Sequence, residues 1–461
     1  MYCDELLRLC AYEPEEIERE RPRIEKAFAK LELTPKDIDN GAERTSQYFD
    51  IELTSIRKMM GLWLKSLIDL VLAREEREKI IYCAAPPFPQ LANAMVMVSK
   101  DIFVTSPEVT VSQTVGGIFD KLNPVLEAAE GDLLPAGLAY CSGLQVRLGG
   151  IIKGIIPVPD LLVSSGFVCD ETPKLDELVS KRYGVPVAYV DGVHDEMEER
   201  WPRVSDARIK YITQEVRDAL VKFEEVTGCK VTEEVSRRAN ERSADLLARG
   251  NRVLELIRSA DPAPISFVDM GIAFRLLTRV SNTTTVSTDT GELVDLLYSE
   301  LKERVDRGEG VLPKGAPRIA MGLPWTEPSG ARVIDEAGLT VVVDMSTTTE
   351  LERVPIKYED YWERSAEATL RFCGIKFASR FKQLCKEWKV DGAILNFPIG
   401  CRDLCIAPVK SRDSIMKELG IPVLLLESDH IDVRDYSAEA MRSRVEAFAE
   451  MLIAAKAAEK K

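Results

Sequence analysis

Asp160-Leu161-Leu162-Val163-Ser164-Ser165-Gly166-Phe167-Val168-Cys169 and Asp391-Gly392-Ala393-Ile394-Leu395-Asn396-Phe397-Pro398-Ile399-Gly400-Cys401 share one grammar. Each is an aspartate, a short apolar run, a small-residue loop and a cysteine. The aspartate-to-cysteine steps are 9 residues (160 to 169) and 10 residues (391 to 401). A helical segment follows each. Then come Tyr183-Gly184-Val185-Pro186-Val187 in one and Leu419-Gly420-Ile421-Pro422-Val423 in the other, a further apolar run, and Asp191 or Asp429. The cysteine-to-proline steps are 17 residues (169 to 186) and 21 (401 to 422). Short, nearly continuous apolar runs are the mark of strands covered on both faces, as in parallel sheets. The repeat therefore predicts an α/β fold of two similar lobes, each with a short parallel sheet, linked and flanked by helices. Strand, loop, helix and Gly-x-Pro are common α/β grammar; a cysteine just past the first strand is not.

Working outward, residues 1–75 read as a helical N-terminal region, with Ile56 to Leu72 apolar at helical spacing. Residues 76–195 form the first lobe, opening on the strand Lys79-Ile80-Ile81-Tyr82-Cys83 and carrying Cys141 and Cys169. Residues 196–312 are a helical linking region, charged and amphipathic from Pro202 to Ser259, with Gly291 to Arg307 as a further helix stopped by Gly308 and Gly310. Residues 313–461 are the second lobe, with Cys401 and a closing helix from Ser437, its N-cap, to Ala455.

Composition narrows the class. The 461 residues are 45% hydrophobic and 30% charged, which excludes disordered, collagen-like and small disulfide-framework chains. A net charge of −15 repels phosphate backbones and argues against a nucleic-acid partner. The longest apolar stretch, Leu148 to Ser164, is broken by Lys153, Pro157, Pro159 and Asp160, so no membrane span is expected. The acidic start Met1-Tyr2-Cys3-Asp4-Glu5 is unlike a signal peptide, and a cytoplasmic location is expected. There the ten cysteines are thiols rather than disulfides. The two histidines, His194 and His430, leave little for a Ser-His-Asp triad or a histidine zinc site; both read as loop residues, His430 alternatively as a proton donor near the cleft. No phosphate-binding lysine loop and no G-x-G-x-x-G after a strand occurs.

Chemistry then falls to cysteine. Cys169 and Cys401 sit past the carboxyl ends of their strands, where ligands bind in open α/β sheets and where helix N-termini favour thiolate. Cys141, in Tyr140-Cys141-Ser142-Gly143, lies at a similar junction. Three thiolates suit an iron–sulfur cubane that keeps one iron open to water or substrate. The alternative for each is a small buried hydrophobe. Cys3, Cys10 and Cys229 read as bystanders, and Cys83, Cys373 and Cys385 as core. Cys405, one turn beyond Cys401, reads either as an additional thiol at the cluster or as packing beneath it.

Cys141-Ser142, Pro159-Asp160 through Cys169-Asp170-Glu171 to Lys174, and Gly400-Cys401-Arg402, in that order, resemble the 2-hydroxyacyl-CoA dehydratase and benzoyl-CoA reductase family. So does Gly420-Ile421-Pro422-Val423-Leu424-Leu425-Leu426-Glu427-Ser428-Asp429 with Asp432-Val433-Arg434-Asp435-Tyr436-Ser437, continued by Arg442, Arg444 and Val445-Glu446-Ala447-Phe448. Glu303-Arg304-Val305 with Gly308 and Gly310 extends the likeness, which covers about residues 79 to 455. The resemblance implies two flavodoxin-like (Rossmann-like) lobes holding a 4Fe-4S cluster, with Cys141, Cys169 and Cys401 matching the three cluster cysteines. It implies a dimer with a paralogous subunit or with itself, and a separate ATP-hydrolysing iron–sulfur activator as electron donor. It implies radical chemistry on an acyl-CoA thioester, either dehydration of a 2-hydroxyacyl group or reduction of an aromatic one. A branch of the family carries a double-cubane cluster and reduces small molecules, and a third reading is a cluster-bearing electron-relay subunit without its own active site. No catalytic serine or glutamate carries over.

Overall fold

The computed structural model describes residues 3–83, 89–132, 134, 140–166, 169–191, 204–277, 284–322, 327–344, 358–371, 376–398, 400–429, 431–435 and 437–459. The chain opens with α1 (Asp4–Leu9), α2 (Pro14–Lys30), α3 (Pro35–Tyr48) and α4 (Thr54–Glu76). The first lobe runs β1 (Lys79–Cys83), α5 (Pro89–Val96), β2 (Ile102–Thr105), α6 (Pro107–Val111), which passes into a π-helical turn (Ser112–Gly116), α7 (Asn123–Asp132), α8 (Ser142–Ile152), β3 (Leu161–Ser165), α9 (Thr172–Tyr183) and β4 (Val187–Val190). Then follow α10 (Asp206–Thr227), α11 (Glu233–Ser259), α12 (Phe267–Leu277) and α13 (Thr284–Arg307). The second lobe runs β5 (Arg318–Gly322), α14 (Pro328–Glu336), β6 (Thr340–Asp344), α15 (Tyr361–Leu370), α16 (Lys376–Glu387), β7 (Gly392–Phe397), α17 (Arg402–Leu419), β8 (Val423–Glu427) and α18 (Ala438–Glu459). Ser437 caps α18, its Oγ accepting from Ala440 N at 3.3 Å.

Both sheets are parallel and have the same order, β2-β1-β3-β4 and β6-β5-β7-β8. This is the flavodoxin-like arrangement, in which the chain reverses direction of growth between the first and third strands. The repeat read from the sequence extends to single hydrogen bonds. Asp160, just before β3, accepts from Ile80 N of β1 at 2.8 Å, and its own N–H bonds the Ile80 carbonyl at 2.7 Å. Asp391, just before β7, repeats both bonds with Arg318 of β5, at 2.6 and 2.7 Å. Each aspartate thus fixes the register of the third strand against the first. Gly184 and Gly420 end α9 and α17 in the left-handed conformation, φ +70°, which a residue with a Cβ rarely adopts. The prolines two residues on, Pro186 and Pro422, offer carbonyls to Leu162 N and Ala393 N.

All five residues of β3 are buried, as are all five of β6, because helices cover both faces. Alternate strand residues face two different cores. Ile80, Tyr82, Phe103 and Leu162 join Ile319, Met321, Ile394 and Leu426 in one core that also holds α4, α12 and α14. The other face of the first sheet is covered by α5, α10 and α11, together with Trp362, Ala366 and Leu370 of α15. The other face of the second sheet packs on Phe381, Leu384 and Ile415. Helix α15 belongs to the second lobe by chain order yet covers the first sheet, tied by Arg217–Asp360 at 2.9 Å. Among the described residues no helix is long and apolar enough to cross a membrane.

Candidate functional site

Three loops that lead into helices meet where the two lobes face each other: those of Cys169 and Cys401 follow strands β3 and β7, and that of Cys141 lies between α7 and α8. Cys141 is the residue before α8 and Cys401 the residue before α17, both with extended backbone. Cys169 lies three residues before α9, whose N-cap is Glu171 rather than the cysteine. Gly400 brings the two lobes together. A Cβ placed on it would lie 2.1 Å from the Tyr140 carbonyl oxygen and 2.7 Å from the carbonyl carbon, so the chain beside Cys401 rests directly on the chain beside Cys141. Gly400→Ala should therefore cost about 1–3 kcal/mol or more, because backbone cannot step aside as a side chain can. Denaturant unfolding measures it; an unchanged midpoint would mean the lobes do not touch here.

Polar groups complete the junction. Cys141 N–H donates to Glu171 Oε2 at 3.2 Å, joining the first cysteine to the segment of the second. Ser142 Oγ donates to Asp429 Oδ1, which also accepts from Ile431 N at 2.8 Å and Asp432 N at 2.9 Å. Asp429 is 8% exposed and follows β8, so the first lobe is bonded to the loop past the last strand of the second. At the end of β7, buried Asn396 accepts from Ser428 Oγ at 2.8 Å, and its Nδ2 has no partner among the described residues.

Cys141, Cys169 and Cys401 are all half-buried thiols. Burial pushes the Cys141 thiol well above its usual range, and the neighbouring Cys401 and Cys169 push it further. The charges of Cys401 and Cys169 act on Cys141, which places both near it. At Cys141 desolvation and the two like neighbours outweigh the hydrogen bond from the Leu144 backbone, which acts in the other direction. Among the described residues no three His, Cys, Asp or Glu side chains close on a point as they would around one bare metal ion. A four-iron cluster takes its protein ligands on separate iron atoms, so its thiols stand wider apart.

The other cysteines sort by burial. Cys3, Cys10, Cys83 and Cys385 are core residues, and Cys229 is half-buried. Cys373, His194, His430 and the side chain of Cys405 lie outside the described residues.

Sequence reasoning missed a buried ion triad behind the cysteines. Arg147 of α8 is wholly buried between Glu108 of α6, at 3.1 Å, and Asp176 of α9, at 2.6 Å. Burial pushes both carboxyls up and Arg147 pulls them back. Cys169 is among the groups whose charge acts on Arg147. The signal was a single arginine inside the apolar run Leu144 to Ile152.

Two cavities flank Phe49. One, of about 380 Å³, opens between the end of α3 and the ends of α12 and α14, lined by Asp50, Asp269, Arg332, Asp335 and Glu336. Burial pushes Asp335 up to about 7 and Asp269 up to about 6 against the bonds they accept from Phe267 N, and from Ser266 and Asp50 N. The folded Asp335 value lies above the unfolded one, so its stabilisation is complete below about pH 4 and is lost as pH rises through about 7. The gap corresponds to roughly 4 kcal/mol. Asp335→Asn, which keeps an acceptor for Phe267 N, should raise stability above pH 7 and flatten the fall between pH 4 and 7. Urea unfolding across that range tests it; parallel curves for the two proteins would refute it.

The other cavity is a narrow slot between the π-helical turn and α12, lined by Gln113, Gly117, Ile272, Arg275 and Pro328 among others. Arg44 frames it, donating to the Gly117 carbonyl at 3.3 Å and pairing with Glu327 at 2.7 Å.

Two doubly wound lobes, each with a cysteine between its third strand and the helix that follows, define a class of paired α/β proteins. Residues 90–452 match the family described as 2-hydroxyglutaryl-CoA dehydratase, D-component, and the chain belongs to that family. It is 22% identical over 310 residues to the (R)-2-hydroxyglutaryl-CoA dehydratase alpha subunit of Acidaminococcus fermentans, covering 64% of this chain and 61% of that one. It is 23% identical over 396 residues to the (R)-phenyllactyl-CoA dehydratase alpha subunit of Clostridium sporogenes, covering 84% and 93%. It is 23% identical over 337 residues to a benzoyl-CoA reductase subunit from Thauera aromatica, covering 68% and 76%. Each of these relatives is named as one subunit of an enzyme.

Proposed function

We propose that this chain is the iron–sulfur subunit of a radical dehydratase or reductase acting on a CoA thioester, driven by a separate ATP-hydrolysing iron–sulfur activator and working as a dimer with a paralogue or with itself. The observation that carries the reading is the meeting of Cys141, Cys169 and Cys401 from separate loops of two lobes, in a chain of the dehydratase family. The donor set fits a 4Fe-4S cluster: three thiols on three junctions, with no imidazole needed. When bound, such a cluster supplies one-electron chemistry that side chains cannot.

The chain's own residues do the rest. Cys141, Cys169 and Cys401 hold the cluster. Glu171 and Asp429 fasten the Cys141 loop through backbone N–H and Ser142 Oγ, so the ligands keep their spacing. The half-buried setting limits water at the centre while leaving it within reach of a docked donor. The absence of a phosphate-binding lysine loop supports an external source of ATP-driven electrons.

The test is anaerobic purification with iron and acid-labile sulfide counts, followed by incubation with an activator, ATP and a panel of acyl-CoAs. The expected result is about four irons per chain, no ATP turnover by the pure chain, and turnover of an acyl-CoA only when activator and ATP are both present. An iron-free protein after anaerobic reconstitution would overturn the cluster assignment, and enzyme-like ATP hydrolysis by the chain alone would overturn the need for an activator.

A further inference from the structure

We propose that Asn396 donates a hydrogen bond from Nδ2 to a sulfur of the cluster and so raises its reduction potential. This rests on the iron–sulfur reading above and deepens it.

Asn396 is the fifth residue of β7, and the alternation of the strand fixes which way it faces. Ile394, two residues earlier, packs in the core shared by both sheets, whereas Ala393 and Leu395 pack on the far side of the second sheet. Asn396 therefore points with Ile394 toward the first lobe. Two contacts tie this strand end to the cysteines. Past it, Cys401 N–H donates to the Pro398 carbonyl at 3.1 Å, which keeps Cys401 beside the end of β7. Across it, Ser428 Oγ donates to Asn396 Oδ1 at 2.8 Å, and Asp429, the next residue, accepts from Ser142 Oγ beside Cys141. The Ser428 bond uses the oxygen of the amide and leaves Nδ2, with two N–H donors, on the other arm. Asn396 is wholly buried, and Nδ2 has no partner among the described residues. A buried amide donor without an acceptor costs free energy, and a bound group that supplies the acceptor removes that cost.

The chemistry of the donor matches the group. Hydrogen bonds to the sulfurs of a cluster are one of the terms that set its potential, and each stabilises the more negative, reduced state. The carboxylates that fasten the Cys141 loop, Glu171 and Asp429, act the other way, because negative charge beside a cluster opposes the arrival of an electron. A neutral amide offsets them without burying a cation that would need its own counter-charge.

The experiment uses the full chain reconstituted anaerobically with iron and sulfide, and it reads the cluster rather than turnover. Asparagine carrying a nitrogen isotope label only at the side-chain amide is incorporated, and the reduced protein is examined by pulsed electron paramagnetic resonance. The expected result is a coupling between the cluster and a labelled amide in the unaltered protein, absent in Asn396→Leu. In a potentiometric titration, Asn396→Leu and Asn396→Asp should each lower the midpoint by tenfold in the equilibrium constant for reduction, about 59 mV for a one-electron couple. Asn396→Asp keeps an acceptor for Ser428, so its shift does not come from losing that bond. Ser428→Ala, which removes the bond and leaves the donor, should move the midpoint much less. No coupling in the unaltered protein, or a midpoint unmoved by both Asn396 variants, overturns the proposal, leaves Nδ2 to an ordered water and keeps the cluster reading. A shift in Ser428→Ala as large as that in Asn396→Leu also overturns it, because Asn396 would then act by holding the end of β8. A chain that takes up no cluster overturns the iron–sulfur reading and this inference with it. The isotope experiment on the unaltered chain decides by itself, so a variant that fails to fold does not blunt the test.

Discussion

Replacing Cys401, Cys169 or Cys141 by serine should abolish iron binding and visible absorbance while leaving far-ultraviolet dichroism unchanged. A thiolate-to-hydroxyl change removes the soft ligand that iron–sulfur clusters require, and in the proposed cluster each of the three thiols holds its own iron. The fold should survive because each of the three cysteines sits half-buried at a junction, not inside a core. Two controls bracket the result. Cys385→Ser, in the core under the second sheet, should lower stability by burying a hydroxyl and leave the iron count alone. Cys229→Ser should change neither. Retention of iron and its spectrum by any one of the three site variants would remove that residue from the ligand set.

Arg147→Met should destabilise the protein by about 3–5 kcal/mol, the cost of leaving buried carboxylates without their counter-charge. Arg147 has no exposed surface, and Glu108 and Asp176 have almost none. Water cannot reach in to compensate, so both carboxyls should take up protons and the loss should shrink as pH falls. The sign follows from the two folded carboxyl values, which burial already holds above the unfolded ones. A triple variant, Glu108→Gln, Arg147→Met and Asp176→Asn, should recover much of the loss, because a neutral set of similar volume has no charge to desolvate. Denaturant midpoints for the single and triple variants measure this; a triple variant no more stable than the single one would show that packing, not charge, sets the cost. Since α8 follows Cys141 and α9 follows Cys169, the single variant should also loosen the spacing of those two thiols.

The sheets were legible because burial on both faces favours apolar residues, so β1, β3, β5 and β7 stand out as largely apolar runs. The lobes' kinship was legible in Gly184–Pro186 and Gly420–Pro422, where a left-handed helix end and the following proline leave a fixed mark. The aspartates before β3 and β7 recur at the same place in each lobe, and their bonds to Ile80 and Arg318 give the repetition its cause. What was not legible joins residues far apart in the chain. Ser142 and Asp429 are separated by 287 positions, and no local pattern announces a bond between them. Nor does any period reveal that α15 covers the other lobe's sheet, since an amphipathic helix shows that it has a buried face but not whose core that face enters. Asn396 is an ordinary asparagine until its surroundings are known.

Helix α8 starts in one lobe and is held by the other, through Gly400 lying on Tyr140 and through the bond from Ser142 to Asp429. A core shared by both sheets lies beneath that fastening. Neither lobe can melt without stripping the other of a buried surface, so heating should give one calorimetric peak, with matching calorimetric and van't Hoff enthalpies, where two independent lobes would give two. Amide exchange at the start of α8 and along β7 should accordingly slow or quicken together, as a single cooperative unit.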